Sequence, residues 1–259
     1  MKTKSCFGVV AMLDALGAKN LSMEESHNFL KKVDDFIVSI SKHTNFELEQ
    51  VGVSTKPELS VFGDTIIYTW DLHESKYPNI QLLAVAQWLR PAIVSGLMHG
   101  ILWRGALAMG DYLWSESVVL GPAVSDAASW CQEADWIGII ATPNCSQRIS
   151  ELNAFIQSDF YKQNNKEIID ISERYVKYPV PLRDGTIRQL YAINWPRQYT
   201  FVKEIKESNN KQLIKEAFEF PVDRMFFWQL QSFPIPKGTE IKFEHTEMFF
   251  NKCIHDLVK

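Results

Sequence analysis

Cys6 to Leu13 (CFGVVAML) is a short, continuous apolar run that stops at Asp14-Ala-Leu-Gly17. Such a run predicts a central strand buried on both faces. Ser22-Met-Glu-Glu25 has capping-box spacing, and Phe29, Leu30, Val33, Phe36, Ile37 and Ile40 recur behind it at helical intervals. A helix from about Ser22 to Ser41 follows, laid on one face of a sheet. Leu59 to Phe62 leads into Gly63-Asp64, and Thr65 to Trp70 leads out, which reads as a tight hairpin of β-branched and aromatic strands. Pro78 to about Gly100 is long, apolar and helical in period, with Pro91 placed to kink or divide it.

Leu102 to Gly110 and Ser117 to Leu120 form a second strand pair. Gly121-Pro122 opens a helix through about Glu133, with proline at the favoured first position. Trp136 to Ala141 is a further strand, stopped by Thr142-Pro143. These elements predict an α+β fold of the ferredoxin-like, split βαβ kind. Beyond them, Asn144 to Tyr161 reads as a helix and Gln163 to Lys166 as a polar loop. Tyr175 to Leu182 and Thr186 to Asn194 read as a hairpin turned by Arg183-Asp-Gly185, and residues from about Phe201 onward read as mostly helical. No repeat, low-complexity segment or Gly/Ser linker interrupts the chain. The division is therefore a core at 1–142 and an extension at 143–259 packed on the same domain.

Composition narrows the function. With 46% hydrophobic and 12% aromatic residues in 259, the chain can bury a sizeable core. A net charge of −4 and a pI near 5.9 supply no basic field for nucleic acid or anionic membrane. Cys6, Cys131, Cys145 and Cys253 lie far apart without zinc spacing, as expected of reduced thiols in a cytoplasmic protein. Lys2 and Lys4 precede the first apolar run as in a signal peptide, but Asp14 breaks it, and no segment reaches the roughly twenty apolar residues of a membrane span.

Two carboxylates stand where a metal site would need them. Asp14 ends the first strand, with Gly17 free to turn the following backbone toward an anion. Asp64 sits in the hairpin turn. Converging at one sheet edge, they would repel unless hard cations such as Mg²⁺ or Mn²⁺ intervened, and removing one of a like-charged pair would relieve that repulsion. Taken singly, each aspartate also fits an ordinary turn residue. Arg104 fits either a phosphate contact or a structural ion pair, Asp111 a metal site or a strand end, and Asp126 a site or solvent. The chain has no Walker A loop, G-x-G-x-x-G, G-x-S-x-G or H-E-x-x-H motif.

Four motifs in order carry a resemblance across residues 6 to 141. They are Val9-Val-Ala-Met-Leu-Asp14-Ala-Leu-Gly17, Val61-Phe-Gly-Asp64, Arg104-Gly105 to Gly110-Asp111, and Gly121-Pro-Ala-Val124-Ser-Asp-Ala-Ala128. Together they resemble the class III nucleotidyl cyclases, with the first glycine after Arg104 shifted by one. The resemblance implies two Mg²⁺ or Mn²⁺ ions on Asp14, Asp64 and the Ala15 carbonyl, with Asp14 and Asp64 catalytic. It implies phosphate binding by the amides running from Ala15 through Leu16 and Gly17 to Ala18. It also implies a nucleoside triphosphate substrate and a head-to-tail homodimer with shared sites.

The departures matter as much. Class III cyclases present an Asn and an Arg on the last helix, where this chain has Ser125 and Ser129. Purine cyclases read the base four residues before the second metal aspartate and three before the helix-opening glycine, where this chain has Ser60 and Val118. A site lacking those readers resembles the bacterial pyrimidine cyclases of the Pycsar anti-phage system. The Pro179-Val-Pro-Leu182, Asp184-Gly185 and Tyr191-Ala-Ile-Asn-Trp195 hairpin is also similar to theirs. The implied activity is conversion of CTP or UTP to a 3′,5′-cyclic nucleotide and pyrophosphate, as an anti-phage second messenger. The alternatives are a purine cyclase and a catalytically silent, nucleotide-binding regulatory module.

Overall fold

The computed structural model describes residues 3–19, 21–51, 57–115, 118–164, 170–198, 235 and 238–257. One mixed sheet organises them. Its strands are β1 (Lys4–Ala15), β2 (Glu58–Phe62), β3 (Thr65–Asp71), β4 (Trp103–Ser115), β5 (Val118–Leu120), β6 (Gly138–Ala141), β7 (Tyr175–Pro181) and β8 (Ile187–Ile193). The order is β2-β3-β1-β4-β6-β8-β7, with β5 paired to the end of β4.

The apolar run of β1 lies at the centre. It is antiparallel to β3 from Gly8↔Asp71 to Asp14↔Thr65, and to β4 from Lys4↔Trp114 to Ala15↔Trp103. β3 thus lies between β1 and β2, and β1 between β3 and β4. These are two interleaved, split βαβ units, so the fold is α+β as the pattern predicts. Close approach of β4 to β1 explains Gly105: a Cβ there would sit 2.3 Å from the Met12 carbonyl oxygen.

Helices α1 (Met23–Val51), α2 (Gln81–Met98), α3 (Pro122–Cys131), α4 (Pro143–Gln157), α5 (Asp159–Asn164) and α6 (Glu240–Leu257), with short 3₁₀ turns at Pro78–Ile80 and Ile171–Glu173, complete the described elements. α1, α2 and α4 share a core with Val9, Ala11 and Leu13 of β1 and Ile66, Tyr68 and Trp70 of β3. α3 covers part of the opposite face, where Ala123 and Ala127 meet Cys6, Val10, Ala108 and Tyr112. Alternation along β1 places Asp14 on that second face with Val10 and Met12.

The capping box forms: Ser22 N donates to Glu25 Oε2 at 2.7 Å and Glu25 N to Ser22 Oγ at 3.3 Å. α1 continues ten residues past the expected Ser41, to Val51. α2 runs unbroken through Pro91, because every residue from Leu82 to Leu97 is buried and packing outweighs the missing backbone bond. The segment Pro78–Met98 is long and apolar enough to cross a membrane, but 83% of its apolar window is buried inside the fold, as in a core helix.

The expected helix from Asn144 to Tyr161 is two helices. Ser158 turns extended (ψ 150) and its Oγ accepts from Tyr161 N at 3.3 Å, opening α5 and drawing Gln163 into a helix. The Arg183-Asp-Gly185 turn closes β7 on β8, with Gly185 at φ 80 and Asp184 accepting from Thr186 N at 2.9 Å. β8 pairs with β6 through Ile140↔Ala192, so this hairpin lengthens the central sheet. Phe249 of α6 packs on Trp136 and Tyr178, with ring centroids 4.5 and 5.0 Å apart. The helices expected between Phe201 and Pro234 lie outside the described residues.

Candidate metal and nucleotide site

The hairpin turn and the end of β1 meet at one corner of the sheet. Ala15 N donates to the Asp64 carbonyl at 3.0 Å, fixing Asp64 beside the strand that carries Asp14. Asp14 is buried, 3% exposed, while Asp64 is half-buried. Both carboxylates are felt at Cys131. Burial pushes its thiol up to about 12, with Asp14 and Asp64 adding to the effect and Arg104 opposing it. The two aspartates singled out in the sequence thus lie on adjoining segments at one corner of the sheet, joined through the Ala15–Asp64 backbone hydrogen bond.

Arg104 stands directly opposite Asp14 on β4. Its Nε and Nη2 both donate to Asp14 Oδ2, at 3.2 and 2.9 Å, and its Nη1 donates to the Gln132 carbonyl at 3.3 Å. Of the two roles the sequence offers, the structure shows the ion pair: Arg104 is buried against Asp14, with three hydrogen bonds within the fold. Among the described residues, Asp14 Oδ1 has a single 3.4 Å contact, from Thr65 Oγ1.

Two amides expected to face phosphate are also committed. Ala15 N serves the Asp64 carbonyl, and Leu16 N donates to the Leu102 carbonyl at 2.9 Å. Among the described residues no carbonyl accepts from Gly17 N or Ala18 N, and Gly17 adopts φ 84, where a side chain would be strained. Of the amides expected to face phosphate, those of Gly17 and Ala18 are the two left without a carbonyl partner among the described residues.

A pocket of about 510 Å³ opens between this loop, α1 and the hairpin. Leu21, Phe29, Val33 and Val61 supply apolar wall, while Lys19 and Asp64 supply its charges. It lies on the helix side of the hairpin, since Val61 pairs with Ile66 of the main core. Lys19 is exposed and was missed in the sequence. The signal was present, a cation one residue beyond the expected phosphate loop.

The remaining candidates divide. Ser60 is half-buried and pairs with Ile67, which pairs with Met12, so it shares the face of Asp14. Ser125 and Ser129 are exposed on α3, and Ser129 Oγ donates to the Asp126 carbonyl at 2.9 Å. Val118 sits on β5 at the other end of the sheet. Asp111 faces Phe7 on β1, about 23 Å along the strand from Asp14, and takes no part in this corner. The Asp126 carboxylate accepts from Thr142 Oγ1 at 2.8 Å, and Thr142 caps α4 by accepting from Cys145 N, which gives Asp126 a structural role.

The donor set fits a hard divalent cation. Asp14 Oδ1 retains acceptor capacity, and among the described residues Asp64 has no cationic partner. No group of three or more His, Cys, Asp or Glu side chains forms among the described residues. Two carboxylates and backbone oxygen suit Mg²⁺ or Mn²⁺, which keeps water and substrate phosphate as its other ligands.

No family model matches the chain, and no curated protein matches it. Among solved structures it is similar to the catalytic core of a rhodopsin-guanylyl cyclase with converted specificity in complex with ATPαS. That match has 12% identity and a TM-score of 0.47, over 74% of this chain and 98% of that one. It is similar to the adenylyl cyclase CyaB from P. aeruginosa at 11% identity and TM-score 0.44, over 74% and 96% of the two chains. A bacterial light-regulated adenylyl cyclase matches at 12% and 0.36, over 75% and 54%. Similarity at this level transfers neither substrate nor mechanism.

Proposed function

We propose that this chain is a nucleotide cyclase that converts CTP or UTP to a 3′,5′-cyclic nucleotide and pyrophosphate. The observation that carries the proposal is the junction of Asp14 and Asp64 at one sheet corner, beside a loop with two free amides. In that reaction the ribose 3′-oxygen forms a bond to the α-phosphorus and loses its proton to solvent. The bond from the α-phosphorus to the oxygen bridging it to the β-phosphorus breaks, and pyrophosphate leaves.

Asp14, Asp64 and the Ala15 carbonyl would hold the divalent ions. Such ions would supply a lowered pKa at the 3′-hydroxyl and charge neutralisation at the triphosphate. The chain's own part is positioning. Gly17 N and Ala18 N offer donors to phosphate oxygens, and the exposed Lys19 adds a positive charge to the pocket wall. Asp14 is held rigid by Arg104, and Asp64 by the hairpin.

Base choice rests on Ser60 and Val118. A purine placed against a serine and an exposed valine loses hydrogen bonds to water and regains few. The two positions lie at opposite ends of the sheet, so a pocket using both needs a second copy of the chain. A messenger role in anti-phage defence follows from the same resemblance. The test is incubation with equimolar CTP, UTP, ATP and GTP and Mn²⁺, with products identified by mass. Cyclic CMP or cyclic UMP should exceed the purine products by at least about tenfold, about 1.4 kcal/mol in barrier. Cyclic AMP or GMP as main product would remove the pyrimidine assignment alone. No cyclic product from any triphosphate would favour the silent regulatory module, for which Ser125 and Ser129 in place of Asn and Arg already speak.

A further inference from the structure

Asp14 reaches its metal-binding position already paired. Arg104 places two donors on Oδ2, and the two side chains are only 5% and 6% exposed. The fold enforces this pairing. Asp14 and Arg104 oppose each other on neighbouring central strands, and the guanidinium is anchored a third time at the end of α3, on the Gln132 carbonyl. A cation drawn to Asp14 therefore meets a fixed positive charge across the same carboxylate.

The local charges have a consequence for the order of binding. Asp14 is balanced by Arg104, and Lys242 is paired with Asp135. Among the described residues Asp64 has no ion-pair partner, and Lys19 lines the same pocket. Two divalent cations entering alone would leave this corner strongly positive, and a polyanionic triphosphate entering with them would restore the balance. A guanidinium fixed on one oxygen of a carboxylate repels any further cation drawn to that carboxylate, and more strongly in a buried setting than in water.

Building on the cyclase reading, we propose that Arg104 is a positioning residue and resident counter-ion for the metal site. It clamps Asp14 Oδ2 and leaves Oδ1 to the metal. It also weakens the nucleotide-free site for divalent cations, so that metal is retained together with the polyphosphate. Arginine suits this role because its planar fork keeps both bonds to one oxygen and never loses its charge.

Free Mn²⁺ binding, followed by electron paramagnetic resonance without nucleotide, tests the proposal on the full chain. Arg104→Gln should bind free Mn²⁺ at least about tenfold more tightly than wild type, while its metal-free melting temperature falls. Arg104→Lys keeps the charge and should stay within about threefold of wild type. Unchanged or weaker Mn²⁺ binding by Arg104→Gln overturns the proposal and leaves Arg104 a purely structural residue. Should Arg104→Gln fail to fold, the wild type decides, titrated with Mn²⁺ alone and with each of the four 3′-deoxynucleoside triphosphates, which cannot cyclise. Affinity should rise by at least about tenfold with the preferred analogue. Tight Mn²⁺ binding that no analogue improves overturns this inference alone. No Mn²⁺ uptake with any analogue overturns the cyclase reading, and this inference with it.

Discussion

Asp14→Ala should do more than remove a metal ligand. It strips the partner from Arg104, a cation 5% exposed among β1, β4 and α3, and leaves it only the Gln132 carbonyl. Breaking a buried ion pair from one side costs about 3–5 kcal/mol, because the surviving charge stays desolvated. The remaining Gln132 bond places the expected loss near the lower end, about 3 kcal/mol. For a chain of this size each kcal/mol moves the melting temperature by about 2–4 °C, so a drop of about 6–12 °C follows. The carboxylates alone had suggested the reverse, relief of repulsion; Arg104 changes the sign. Thermal melts of metal-free wild type, Asp14→Ala and Asp64→Ala make the comparison, with Asp64→Ala expected within about 0.5 kcal/mol of wild type. Replacing both partners with apolar residues, as Asp14→Leu with Arg104→Met, should recover most of the loss. An Asp14→Ala protein that melts with wild type, or an Asp64→Ala protein that falls equally far, refutes the reasoning.

Asp64→Asn is the cleaner probe of chemistry: turnover should vanish while the melt is unchanged, and more than about a tenth of the wild-type rate, about 1.4 kcal/mol of barrier, would remove Asp64 from the site. Burial pushes the Cys131 and Cys145 thiols up to about 12, against 9.0 ordinarily. The folded state therefore keeps protons that the unfolded chain releases, and stability should decline as pH rises from about 9 toward 12. A rising or flat stability in urea melts across that window contradicts the burial. Specific activity should fall on dilution as shared sites come apart, and undiminished turnover by a strict monomer excludes the dimer.

Much of the fold was legible because local chemistry and tertiary need agree. The run through Leu13 is apolar on both faces because β1 is central, and Gly63-Asp64 turns a hairpin whose strands are rich in Val, Ile and Trp. The same agreement located Asp14 and Asp64. What escaped depends on partners far away in sequence. Arg104 lies 90 residues from Asp14, and only the β1–β4 register shows that it clamps a carboxylate. The amides of Ala15 and Leu16 are claimed by Asp64 and Leu102, also through contacts distant in sequence. Pro91 is overridden because α2 is buried all round, a property of its neighbours. The break at Ser158 depends on one extended ψ within a stretch whose composition favours helix on both sides.

A single chain brings the two candidate metal ligands to one corner but spreads the other expected site residues along the sheet. β5 pairs with Leu113 to Ser115 of β4, and those residues face the Lys4 end of β1. From Lys4 to Asp14 the strand covers about 33 Å at about 3.3 Å per residue, longer than any nucleoside triphosphate can bridge while seated at the metal corner. Val118 therefore cannot read the base of a nucleotide held by Asp14 and Asp64 of its own chain. Two copies packed head to tail by the α3-bearing faces would set the β5 end of one against the Asp14 corner of the other. Leu113, Val118 and Leu120, each 40% exposed or more, lie at that end and offer apolar surface for such a contact. The same arrangement would bring a partner's α3, with its exposed Ser125 and Ser129, toward the nucleotide. Neither serine carries the charge that arginine brings to a transition state, so under the proposed reading that charge would fall to the divalent ions, with Lys19 a further cation in the pocket that Asp64 lines.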